Sequence, residues 1–243
     1  MSQVNSCLSF SPDGKLLASA SSDKTVKVWD TKNGQEMFSL KGHTGSVTNV
    51  AFSPDGRRLA SASTDRTVKV WDTTSGHETL FLTGNHGPVM CVAFSPDGTR
   101  LASAGSELKV WDITSGQETL TLNGHTDYVT SVVFRMDGKQ LASAGSEVKV
   151  WDAANGQEMF TLIGHGSVTF SPDGNRLVSA GDNGIVKVWD TTRGQKTLTL
   201  KEPSGPVTCV TFSADGKRLA WASRWPNTLA QCVTPRVDKR CSS

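Results

Sequence analysis

Residues 42–72, "GHTGSVTNVAFSPDGRRLASASTDRTVKVWD", bring together His43, Ser61 and Asp65. These residue types perform nucleophilic catalysis. That chemistry needs a base within about 3 Å of a hydroxyl, an acid to orient the base, and donors in a cleft for the oxyanion. The sequence's own copies argue against it. Serine recurs at Ser19, Ser61, Ser103, Ser143 and Ser179, and tryptophan at Trp29, Trp71, Trp111, Trp151 and Trp189. Histidine recurs at His43, His86, His125 and His165. A catalytic centre is built once, whereas a group repeated in unit after unit is architecture. Metal binding fails for the same reason. The recurrent histidines fall in different units, with no cysteine or acid at ligand spacing beside them. The fifth, His77, sits at a turn. The glycine turns lack the Lys-Ser/Thr and following helix of a phosphate loop. No metal and no cofactor is expected.

The elements that must position these residues are periodic. Trp-Asp closes units at Trp29, Trp71, Trp111, Trp151 and Trp189, at intervals of 42, 40, 40 and 38 residues. Asp-Gly turns precede each at Asp13, Asp55, Asp97, Asp137 and Asp173, with one more at Asp215. Between these markers the runs are short, rich in Val, Leu, Phe and Thr, and bounded by turn residues, so each unit reads as four strands. In residues 42–83 the strands are "SVTNVAFS", "RRLASAS", "TVKVWD" and "HETLFL". Units of this length bury their faces only by stacking on one another.

The Gly-His, Ser-Pro-Asp-Gly and Val-x-Val-Trp-Asp signatures resemble the WD40 repeat, the blade of a β-propeller. The resemblance covers roughly residues 4–223. It implies an all-β propeller of four-stranded antiparallel blades, about five complete and a sixth partial or degenerate. The blades fall at 4–41, 42–83, 84–123, 124–163, 164–200 and 201–223 of a single domain spanning 1–243. Residues 224–243, "RWPNTLAQCVTPRVDKRCSS", form an atypical tail with no Val-x-Val-Trp-Asp, interrupted by Pro226 and Pro235, so a third strand has no signature there. The tail reads equally as disordered. Two closures stay open: a six-bladed ring with a ragged last blade, or a larger or shortened propeller whose open end needs a partner.

For His43, Ser61, Asp65 and Trp71 the resemblance implies a structural network. The indole N–H donates to the hydroxyl, the hydroxyl meets the imidazole, and the imidazole meets the carboxylate. All four members stand in register only in residues 42–83. The first unit keeps Ser19, Asp23 and Trp29 without the histidine, and the third and fourth carry Glu107 and Glu147 after a two-residue deletion. The fifth has Asn183, with Asp182 beside it.

The resemblance also implies a non-enzymatic scaffold that binds a protein or peptide through loops on one face. Carried onto this sequence, that face holds the candidate contacts Tyr128, Asp127, Arg66, Thr44, Ser46 and Lys24. Tyr128 is the sole tyrosine and replaces the serine of the second unit. Aromatic and arginine side chains dominate contact energies, although a cap on the blade edge is the plainer role. A different reading is an incomplete or recently duplicated array, or a fragment of a larger signalling protein, with no independent activity. An open array is expected to self-associate.

Composition narrows the partners. The chain has 25 basic and 23 acidic residues, a net charge of +2, and no block of like charge. Electrostatics therefore give no reason to expect nucleic acid. No apolar run reaches the ~18 residues of a membrane span, and the N-terminus lacks the pattern of a signal peptide. The cysteines, Cys7, Cys91, Cys209, Cys232 and Cys241, are odd in number and irregularly spaced, which argues against a disulfide framework. A cytoplasmic or otherwise intracellular location is expected, with Cys7, Cys91 and Cys209 as ordinary buried thiols. The lysines of "VKVWD" are expected to lay their stems on apolar surface and keep their charge in water.

Overall fold

A computed structural model of the chain describes residues 7–164, 166–181, 184–201, 205–223 and 231–233. Among these residues every regular element is a strand, and the strands form six antiparallel meanders. The first sheet holds β1 (Leu8–Phe10), β2 (Leu16–Ala20), β3 (Val26–Asp30) and β4 (Glu36–Leu40). The second holds β5 (Val47–Phe52), β6 (Arg58–Ser63), β7 (Val68–Asp72) and β8 (Glu78–Leu82). The third holds β9 (Val89–Phe94), β10 (Arg100–Gly105), β11 (Leu108–Asp112) and β12 (Glu118–Thr121). The fourth holds β13 (Ser131–Phe134), β14 (Gln140–Ala144), β15 (Val148–Asp152) and β16 (Glu158–Leu162). The fifth holds β17 (Ser167–Phe170), β18 (Arg176–Ala180), β19 (Ile185–Asp190) and β20 (Lys196–Lys201). The sixth has three strands, β21 (Val207–Phe212), β22 (Leu219–Ser223) and β23 (Gln231–Val233). The fold is the propeller arrangement of five complete blades and a partial sixth.

Local chemistry sets each turn. Between β5 and β6 the Ser53 hydroxyl donates to Asp55 Oδ1 at 2.5 Å and accepts from the Arg58 amide at 2.9 Å. Gly56 completes that turn at φ 71°, the left-handed region where a Cβ is penalised. Between the third and fourth strands the register slips at the tryptophan, as at Val70/Trp71, so each indole sits on a bulge.

Packing between blades is one interface made five times. The second and third strands of a blade present small and branched residues, such as Ala18, Ala20, Val26 and Val28. The next blade presents Val47, Val50, Leu59 and Trp71 against them. The same pattern joins the second blade to the third, the third to the fourth, the fourth to the fifth and the fifth to the sixth. Leu59, Leu101, Leu141, Leu177 and Leu219 are fully buried at equivalent positions. Each contributes roughly 1.5–3 kcal/mol. Among the described residues no such cluster joins the sixth blade to the first.

Three expectations need correction. A third strand does form in the sixth blade, and Gln231–Val233, from the segment read as an atypical tail, supplies it. Val233 pairs with Leu219, the position at which the other blades carry tryptophan, while Trp221 occupies the serine position of the second strand. The large apolar side chain has changed strands and stays buried in the inter-blade cluster, so the interface forms without the signature. Second, three of the five lysine charges are not left in water, Lys27 and Lys187 being half-exposed. Lys69, Lys109 and Lys149 are buried, and their ammonium groups meet Glu78, Glu118 and Glu158 of the fourth strands at 2.6, 2.7 and 2.8 Å. A buried ammonium needs such a partner. Third, Cys209 is exposed and Cys7 half-buried, leaving Cys91 as the buried thiol, which burial pushes up to about 12.

Candidate functional site

The second blade assembles the four-residue group around Ser61, which has no exposed surface. The Trp71 indole donates to Ser61 Oγ at 2.9 Å, and His43 Nε2 lies 2.8 Å from the same oxygen. His43 Nδ1 meets Asp65 Oδ2 at 2.9 Å. With Nδ1–H donating to the carboxylate, Nε2 accepts the serine proton. Asp65 also accepts from the Thr44 amide at 2.8 Å and from the Thr67 hydroxyl at 2.6 Å. The chain of bonds runs from the third strand through the second to the loop before the first. Ser61 Oγ is enclosed between an indole and an imidazole, so no substrate carbonyl reaches it. The geometry satisfies buried polar groups.

Burial holds His43 below its usual value of 6.5, outweighing the Asp65 hydrogen bond that favours the cation. Burial also opposes ionisation of Asp65, yet the Thr67 hydroxyl, the Thr44 amide and His43 together lower it to about 2. Both groups have folded values below their unfolded ones. The unfolded chain therefore takes up protons first, and stability is lost as pH falls. The melting temperature is expected to drop below pH 6.5 as histidine protonates, and again between pH 3.8 and about 2 as Asp65 does. A His43→Asn variant, melted across the same range, should show a smaller first drop.

The other blades keep part of the group. Trp29 donates to Ser19 at 3.1 Å, and Asp23 holds its own turn through Thr25. In the third blade the expected histidine is displaced. Asn85 fills the buried seat and faces Ser103 Oγ at 3.4 Å, while the His86 side chain is 82% exposed and pairs with Glu107 at 2.7 Å. Glu107 also accepts from the His86 amide, the bond Asp65 makes to Thr44. In the fourth blade His125 Nε2 and Trp151 both reach Ser143, at 2.7 and 2.8 Å. The deletion has removed the carboxylate, Glu147 turns to Lys149, and His125 Nδ1 is left buried without a partner. In the fifth, Trp189 donates to Ser179 at 3.0 Å; His165, Asp182 and Asn183 lie outside the described residues.

The candidate contact residues divide into two patches on one loop set. Thr64 donates its amide to the Ser46 carbonyl, and the Ser46 hydroxyl reaches the Ser22 carbonyl at 3.4 Å. The turns bearing Lys24 and Arg66 are thereby tied to the loop bearing Thr44 and Ser46. Ser46 is half-buried in these bonds, while Thr44, Lys24 and Arg66 are exposed. Lys24 and Arg66 both hold positive φ, 74° and 72°, where the fifth blade has Gly184 at 67°. Tyr128 stands two blades on, half-exposed beside Asp127, whose carboxylate accepts the Tyr128 amide at 2.7 Å. The structure does not bring Tyr128 into contact with Arg66.

One set of residues escaped the sequence reading. Cys7, Asn49, Cys91, Ser131, Ser167 and Cys209 share one register position at the innermost strands, opposite the second-strand alanines. Several link neighbouring blades: Asn49 donates to Cys7 Sγ and accepts from the Val92 amide at 3.1 Å, and Ser131 accepts from the Val168 amide at 3.3 Å. The signal was legible, because the residue three before each inner-strand phenylalanine is always Cys, Asn or Ser. Among the described residues no group of three His, Cys, Asp or Glu side chains is placed to hold a metal.

The sequence matches the family described as WD domain, G-beta repeat, over residues 2–30, 34–72, 76–112, 116–152, 156–190 and 194–229. It is 46% identical over 43 residues to the human U5 small nuclear ribonucleoprotein 40 kDa protein, covering 18% of this chain and 12% of that protein. Over 37 residues it is 51% identical to a probable serine/threonine-protein kinase PkwA of Thermomonospora curvata, covering 15% of this chain and 5% of that protein. A Lissencephaly-1 homolog of Caenorhabditis briggsae is 48% identical over 42 residues, 17% of this chain and 11% of that protein. The likeness to each relative is about one repeat long.

Proposed function

The chain belongs to the WD40 repeat family, and we propose that it is a non-enzymatic scaffold holding a protein or peptide partner on its loop face. The observation that carries this reading is the backbone of Lys24 and Arg66. A left-handed conformation costs an ordinary residue about 1–2 kcal/mol, and the fifth blade avoids that cost with glycine. Two long cations retained in strained, exposed turns of adjacent blades suit a contact role better than a structural one. Thr44 borders them, and Tyr128 with Asp127 supplies an amphipathic anchor farther round the face. His43, Ser61, Asp65 and Trp71 serve as the fastening of the second blade. The same reading takes residues 1–243 as one domain and an intracellular setting, in keeping with the ribonucleoprotein relative.

Arg66→Gly is expected to raise stability by about 0.5–1 kcal/mol and to weaken partner capture. Affinity capture with the wild type, Arg66→Gly and Tyr128→Ala tests the face. A partner set identical for all three would reject it.

The second reading, an incomplete array without activity of its own, is favoured by a different observation. Leu8 and Phe10 of the first blade are 60% and 63% exposed. An array with uncovered ends associates with whatever fits them.

A further inference from the structure

The inter-blade interface has two halves, and among the described residues one of each is left uncovered. Leu8 occupies the position of Val50, Val92, Val132, Val168 and Val210. Those valines are 3–5% exposed because a preceding blade covers them, whereas Leu8 is 60% exposed. Phe10 is 63% exposed where Phe134 and Phe170 are 4% and 7%. Leu17 and Trp29, on the same face, are half-buried where their counterparts are buried. At the other end Ala222 is exposed, although Ala20, Ala62, Ala104, Ala144 and Ala180 at its position are buried. Among the described residues both faces stay open, so they do not pack on each other.

A polar device repeats across these interfaces and is also left half-made. Arg58, Arg100 and Arg176 each donate to the glycine carbonyl of the next blade's Asp-Gly turn, at Gly98, Gly138 and Gly216, over 3.1, 3.0 and 2.7 Å. Arg100 and Arg176 also lie over Phe134 and Phe212 of that next blade, at 5.4 Å from the ring centres. Arg218 holds the same position in the sixth blade and is exposed. Phe10 and the Gly14 carbonyl, which also accepts from the Thr31 hydroxyl at 2.7 Å, are the ring and acceptor at those positions of the first blade.

We propose that a second copy of this chain docks head to tail, the open face of its first blade seated on the open face of the sixth. Ala220 and Ala222 take the apolar surface of Leu8 and Phe10. The Arg218 guanidinium lies over Phe10 and donates to the Gly14 carbonyl of the second copy. The occupant is a second copy because each copy carries both halves, Leu8 and Phe10 on one and Ala220, Ala222 and Arg218 on the other, at the positions that meet in the interfaces the molecule already forms between its blades. The contact is heterologous, so association continues past the dimer unless the ends meet. This rests on the open-array reading and not on the loop face. Arg66→Gly and Tyr128→Ala leave it untouched, so the two ideas fail separately.

Sedimentation of the full-length wild type over a wide concentration range should show mass rising with concentration. Phe10→Glu and Ala222→Arg, each alone, should be monomeric, with circular dichroism verifying the fold and Leu8→Lys replacing Phe10→Glu if that variant does not fold. Arg218→Glu should weaken association about tenfold or more. Mixing Phe10→Glu with Ala222→Arg leaves one intact face on each, so a one-to-one pair that grows no further is expected. A wild type that is monomeric throughout overturns the proposal, as does association that survives both single variants. Monomeric variants that fail to pair on mixing also overturn it.

Discussion

Ser61→Ala is expected to lower the unfolding free energy by about 2–3 kcal/mol, a large effect for the loss of one oxygen atom. Removing the hydroxyl leaves the Trp71 N–H and His43 Nε2 without their partner in a site closed to water. A buried polar group stripped of its bond costs about 1–3 kcal/mol. Ser19→Ala supplies the internal control. Ser19 is half-buried and bonds the Trp29 indole with no described imidazole, so its loss should cost about 1 kcal/mol or less. Urea titrations of both variants give the comparison. A double-mutant cycle with Trp71→Phe should return a coupling of about 1 kcal/mol. Equal midpoints for Ser61→Ala and Ser19→Ala would remove the fastening role.

Gly105→Ala is expected to destabilise by about 3 kcal/mol, and the reason is the deletion in the third blade. The second blade spans β6 to β7 with a turn through Thr64, Asp65 and Arg66, and it carries Ser63 at the position of Gly105. The shortened third blade closes with the Gly105 amide donating to the Glu107 carbonyl at 2.9 Å. That draws the backbone against the previous loop, and a methyl group on Gly105 would overlap the Pro88 carbonyl oxygen. The obstacle is backbone and cannot rotate aside. Gly145, at the same place in the fourth blade, would bring its methyl 2.7 Å from the Tyr128 carbonyl. Gly14→Ala is the comparator: φ is 71° but nothing lies within 4 Å, so only the conformational term of about 1 kcal/mol applies. Thermal melts that rank Gly14→Ala as equal to Gly105→Ala would show that the loop moves to make room.

The legible part of this protein is the part that repeats. The positions of Ser61, His43 and Trp71 could be read from recurrence, and their distances came from the fold. Recurrence also misled. Gly-Asn-His in the third blade looks like Gly-His with an insertion, and either side chain could take the seat. The smaller Asn85 entered and His86 went to the surface, where Glu107 meets it. The paired lysines were misread because the glutamate that meets each one lies on the fourth strand, across a bulge that alternation does not reveal. Gln231–Val233 was unreadable as a strand because backbone pairing with Leu219–Trp221, rather than any local pattern, makes it one.

By itself the sequence determined the blade. Alternating apolar residues, Asp-Gly turns and the Trp-Asp bulge act within about forty residues, and each copy repeats the same local instruction. Only the tertiary structure decided which seats were filled, which lysines were neutralised and which faces were left open. Those outcomes depend on what the neighbouring blade presents across the interface. Leu8 and Val50 follow the same strand pattern, and one is exposed while the other is buried. The difference lies in whether a blade stands against each of them, which no residue in either strand encodes.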